Sequence, residues 1–279
     1  MDTGETAKVP ESRGAEGPFF SPDGQWVGFG CGSISGLDAG PPRLSKAPVD
    51  GGPTQTLCIV GDYFGGVWHD AGTINWIDAQ PGGMWSVPAE GGTPREIGGN
   101  ETSALFWPQL LPGGESALAI EASLRGGAIV RLDTATGAIT DLGIEASMAV
   151  PLPTGHLLLG RDNERELVLR RFDLARGEAR DGQASVLLGV SITRNSGMAF
   201  AVSSEGTLVY SEGPLLGSRR GMTEIVRLDF DGTLTPIDLP ADRYQSFAPS
   251  PDGRRLVAAI DEAGLWVIDL ARGTRLRLP

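Results

Sequence analysis

Cysteine is almost missing from this chain, with two residues in 279, and histidine is as scarce. Cys31 and Cys58 cannot make a disulfide framework and lack the companion ligands of a zinc site, so buried thiols in strands are expected. Basic side chains number 23 against 35 acidic ones, a formal charge of −12. That field repels phosphate backbones and anionic lipids, and only the short "SRR" at 218–220 opposes it. Nucleic acid is therefore not an expected partner. No stretch approaches the roughly 18 apolar residues of a membrane-crossing helix, and residues 1–10 have neither a basic start nor an apolar run. Direct membrane insertion is not expected.

What the chain has in quantity is glycine, 41 residues, with 20 prolines and only 6% aromatics. Many turns between short apolar segments favour an all-β chain over disorder or collagen. "PFFSPDGQWVGFG" at 18–30 returns as "FAPSPDGRRLVAAI" at 247–260. In "SPDG", serine bonds back to the backbone, proline presets one dihedral, aspartate tolerates the third position, and glycine supplies the positive φ that closes the hairpin. Equivalent turns are "HDAG", "LPGG", "LPTG" and "SSEG", which puts the closing glycines at 24, 72, 114, 155, 206 and 253. The steps of 48, 42, 41, 51 and 47 residues match the period of propeller blades.

After each turn comes an apolar run such as "TINWI", "SALAI" or "HLLLG", too short for a helix and suited to a strand covered on both faces. A third strand, a glycine turn and a fourth strand complete each repeat. The charged stretch 161–180 also fits a helix in composition, but its turn position matches the strands. Sheets of this kind cannot cover both faces alone and stack into a ring. The expected fold is an all-β, six-bladed β-propeller of four-stranded antiparallel blades with a surplus N-terminal strand. Blade limits are expected near 18–58, 59–97, 98–142, 143–189, 190–239 and 240–279. Residues 1–17 are an orphan outer strand or linker, since "MDTGETAKVP" matches the closing "DLARGTRLRLP". That segment either lies outside the last strand, displaces it as a clasp, or stays disordered.

The ordered series "GPFFSPDGQWVGF", "GGVWHDAGTINW", "WSVPAEGGTPREI", "FWPQLLPGG", "FAVSSEGTLVYSEG" and "SPDGRRLVAAI" resembles the TolB-type, WD-repeat-like propeller found C-terminal to bacterial eukaryotic-like serine/threonine protein kinases. The resemblance covers nearly the whole chain. It implies a bacterial sensor or protein-binding domain serving a kinase domain upstream, either in the cytoplasm or outside a membrane-anchored kinase. The family pattern usually shows a further blade before "PFFSPDG". The chain itself has no GxGxxG after a strand, no HRD loop and no DFG.

A metal-dependent hydrolase of the lactonase kind needs several oxygen ligands at the channel mouth. The expected innermost strands, "GPFF", "GGVW", "LFWPQ", "MAVPL", "MAFAV" and "QSFAP", offer none. No GxSxG elbow occurs, and His69 and His156 fall on different blades. The six tryptophans fall in expected strands, where packing explains them. The expectation is thus no catalytic residue, no metal and no cofactor: a non-enzyme that binds a protein or small-molecule ligand. The alternative is a metal-dependent hydrolase in the channel. Loops between blades should gather on one rim, and Tyr63, Glu101, Arg194, Arg243 and Tyr244 are the candidate binding residues there.

Overall fold

The structure is a computed structural model, and it describes residues 7–32, 40–79, 83–98, 104–123, 126–192, 198–212, 224–228, 233–237, 239, 244–260, 263–270 and 274–275. Among them there is no helix; the strands form six antiparallel sheets, five of which take their strands in chain order from inside outwards, while the sixth adds the N-terminal Ala7–Lys8 at its outer edge. The first sheet holds Ala15–Phe20, Trp26–Cys31, Arg43–Pro48 and Gln55–Ile59. The innermost strands of the other five are Tyr63–Trp68, Leu105–Leu110, Met148–Leu152, Phe200–Val202 and Tyr244–Pro249. This is the six-bladed propeller that the glycine spacing predicts. The charged stretch is strand as well, Glu166–Asp173 followed by Glu178–Leu188.

The turn chemistry holds at each repeat. All six closing glycines have positive φ, between 65° and 86°. In the first blade the Gly24 amide donates to Ser21 O, the Trp26 amide donates to Ser21 Oγ at 2.9 Å, and the Gln25 amide donates to Asp23 Oδ1 at 3.0 Å. The sixth blade repeats this with Ser250 and Asp252. Blades meet through apolar clusters that each draw on two neighbouring sheets. Phe29 packs with Leu265 across blades six and one, Leu44 with Trp76 across one and two, and Ile77 with Leu118's neighbour Ala117 across two and three. The remaining three junctions are built the same way. Burying such clusters, at roughly 25 cal/mol per Å² of apolar surface, is what makes each sheet depend on its neighbours.

Ring closure uses both ends of the described chain. The sixth blade has three full strands, ending with Gly264–Asp269. Its outer edge is shared: Ala7 and Lys8 pair with Val267 and Trp266, while Thr274 and Arg275 pair with Asp269 and Ile268. The N-terminal strand is therefore neither outside the last strand nor in place of it; the two segments lie end to end on one edge. Ser12 fastens the join. It is fully buried, its hydroxyl donates to Val9 O at 2.6 Å, and its Oγ accepts from the Leu265 amide at 2.8 Å.

Candidate functional site

The six innermost strands converge on a central cavity of about 450 Å³. Its wall is mostly small, aliphatic and aromatic: Phe19, Trp68, Trp107, Met148, Met198 and Phe247 among others. The polar lining consists of Glu16, Gln109, Ser204, Gln245 and Ser246. Such a wall follows from inner-strand sequences that are nearly free of charge, and it makes a site for a ligand with more apolar than polar surface.

Backbone geometry at the wall is unusual in three consecutive blades. Gly17, Gly65 and Trp107 each stand seven residues before their closing glycine, and each has positive φ, 53°, 98° and 54°. At all three the inner strand slips its register against the next strand. Glycine takes this conformation at little cost, whereas a tryptophan held there stores strain of about 1–3 kcal/mol. Trp107 keeps it because Gly65 leaves room: a β-carbon at Gly65 would lie 3.2 Å from Trp107 Cε3 and 3.1 Å from Pro108 Cδ. Strained aromatic residues on a cavity wall are a mark of binding sites.

A line of contacts ties these strands side by side. The Gly17 amide donates to Ser246 Oγ at 3.3 Å, and Tyr63 Oη donates to Gly17 O at 2.7 Å. Burial pushes the Tyr63 phenol well above its usual range, with the charges of Glu16 and Cys31 adding to the effect. Cys31 and Cys58 are both buried free thiols, raised to about 11 chiefly by burial.

Of the rim candidates, Tyr63 is 2% exposed and packs between blades one and two, and Tyr244 is 0% exposed within the cluster joining blades five and six. Both rings serve packing rather than an exposed rim. Glu101, Arg194 and Arg243 lie outside the described residues. The structure instead brings forward Glu16, Trp107, Gln109 and Gln245, which the loop-based reading passed over. The phrases "GPFF", "LFWPQ" and "QSFAP" do mark the wall; the charged Glu16 stands one residue before the first of them.

A hard divalent cation would need several oxygen ligands at one point. Among the described residues no three His, Cys, Asp or Glu side chains come together for a metal, and Glu16 is the one acid on the described channel wall. The described residues do not fit a divalent metal centre.

No protein-family model matches the chain, and no curated protein sequence matches it. Solved structures do resemble it in fold. A luciferin-regenerating enzyme superposes with a TM-score of 0.67 at 11% identity, covering 98% of this chain and 99% of its own. A putative gluconolactonase gives 0.65 at 17%, covering 96% and 93%. A putative TolB from Agrobacterium tumefaciens gives 0.62 at 14%, covering 95% and 96%. The first two overturn the expectation of a non-enzyme: proteins that share this ring over its whole length are named as enzymes, so a missing serine elbow or carboxylate ring excludes nothing. At these identities the likeness is one of fold, and the chain shares the six-bladed TolB-like propeller architecture.

Proposed function

We propose that this propeller acts on a small, largely apolar molecule held in its central channel, and that ester or lactone hydrolysis is the reaction class. One observation carries the reading: the cavity of about 450 Å³ lies where all six blades meet, and its wall is apolar with a few polar groups. Glu16 is the described wall residue able to accept a proton from water, and Gln109 and Gln245 supply amide donors for a polar end of the ligand. The name of the putative gluconolactonase of like fold supports this class, and both enzyme names favour a small molecule over docking of a protein. No metal-assisted step enters the proposal.

The test is a panel of aliphatic lactones and p-nitrophenyl esters, followed by thermal shift and by turnover. Ala201→Phe adds a ring at the cavity wall and Glu16→Gln removes the base. Saturable binding should be lost in the first, and turnover should fall with binding kept in the second. No saturable binding by any compound, or binding unaffected by Ala201→Phe, overturns the proposal. Service to a serine/threonine kinase rests on the resemblance of the repeat phrases alone. A kinase domain in the reading frame upstream of the coding sequence supports it, and an unrelated frame removes it.

A further inference from the structure

A second cleft, about 370 Å³, lies between the first and second blades at their closing turns, away from the loops that join blade to blade. Its centre is Lys46, which is 5% exposed. A buried ammonium is costly unless its charge is answered. Here the answer is two indole faces: Nζ stands 4.5 Å from the Trp26 ring centroid and 5.9 Å from that of Trp68. Glu90 approaches to 3.6 Å, outside hydrogen-bond reach, and its side chain is 89% exposed and free to swing away. The ammonium has three protons to donate. His69 lines the same cleft, and its Nε2 is buried with no hydrogen-bond partner. Burial holds that imidazole below its usual range, against the opposing effect of Asp70, so it is neutral near pH 7.

Charge narrows what could fill the cleft. Asp23, Asp70 and Glu90 stand on its wall against the single cation of Lys46, which repels an anion. A cationic ligand would be set against the buried ammonium of Lys46. A neutral molecule with both C–H faces and hydroxyls satisfies the rest: indole surface for its faces, and an ammonium, an imidazole and carboxylates for its hydroxyls.

We propose that the cleft formed by Trp26, Lys46, Trp68, His69 and Glu90 binds a neutral pyranose sugar. The site is independent of the channel reading, although Trp68 lines both cavities.

The experiment is saturation-transfer NMR on the full chain with glucose, N-acetylglucosamine and cellobiose as probes, and with acetate and tetramethylammonium as charged competitors. Ring protons of at least one sugar should receive saturation. The affinity should fall at least about tenfold in Trp26→Leu, and less in Asp70→Asn, an exposed position that keeps the test open should the tryptophan variant fail to fold. Ala201→Phe in the channel should leave the sugar signal intact. No transfer to any of the three sugars, transfer unchanged in Asp70→Asn and Trp26→Leu, displacement by acetate or tetramethylammonium, or loss in Ala201→Phe would each overturn the assignment.

Discussion

The ring of Tyr63 occupies the space in front of Gly30: a β-carbon there would lie 2.3 Å from Tyr63 Cδ1. The glycine of one blade is thus a socket for the aromatic side chain of the next. Gly30→Ala should destabilise the chain by about 1–3 kcal/mol through overpacking. Adding Tyr63→Leu should recover part of that loss, since the two positions are in contact and couple. Urea unfolding of the two single variants and the double variant measures this; simple additivity would contradict it.

Tyr63 also carries a pH signature. Its folded phenol titrates well above the ordinary value of 10.0, because burial disfavours the phenolate. The native state therefore holds its proton while an unfolded tyrosine releases one, so stability from this group is complete below pH 10 and is lost as the pH rises beyond. Tyr63→Phe should cost about 1 kcal/mol at neutral pH by giving up the bond to Gly17 O. It should also flatten the alkaline decline, as read by denaturation midpoints between pH 9 and 11.

Ser12 joins the N-terminal segment to the last blade through the Leu265 amide, while its hydroxyl donates to Val9 O and its own carbonyl accepts from the Ala15 amide. Ser12→Ala leaves the buried Leu265 amide without that acceptor and should cost about 1–3 kcal/mol. Amide exchange should speed up first at Val9 and Leu265, the two ends of the adjoining backbone bond.

Trp107→Gly should change stability by less than about 1 kcal/mol, because relief of left-handed strain offsets the lost packing of a half-buried ring. The same change should weaken binding of any ligand in the channel. Chemical denaturation and the lactone and ester panel separate the two effects.

His69 gives the acid side. Burial lowers its folded value below the ordinary 6.5, so the unfolded chain takes up the proton first. Stability tied to this group is present above about pH 6.5 and is lost as the pH falls towards the folded value. The difference in melting temperature between the wild type and His69→Asn should therefore shift against the wild type between pH 7.5 and 5.

Much of the architecture was legible because it is written in local terms. The six closing glycines all have positive φ, as their place in "SPDG"-like turns requires, and serine and aspartate make the bonds that those residue types predict. The wall strands were legible for a similar reason: position before the turn decides which strand is innermost. The burial of Tyr63 and Tyr244 was not legible from loop composition. Tyr63 and Tyr244 stand at strand starts, and whether such a ring faces solvent or a neighbouring blade depends on what that blade offers, here Gly30 and Gly17 in the first case. The sharing of one edge by both chain ends was also hidden, since two similar outer-strand sequences compete for a single strand and only the paired registers show that each takes half.

By itself, the order of residues determined the repeat, the turn type and the antiparallel four-strand unit, because these rest on dihedral preference and on apolar runs a few residues long. Which groups meet across blades was decided by the ring: Lys46 between Trp26 and Trp68, Glu16 among apolar walls, and Trp107 against Gly65 are pairs separated by tens of residues or set by the closure. The physical reason is that burial is shared between sheets. A side chain's neighbours, and so its charge and freedom, are not settled until the adjoining sheet has covered it.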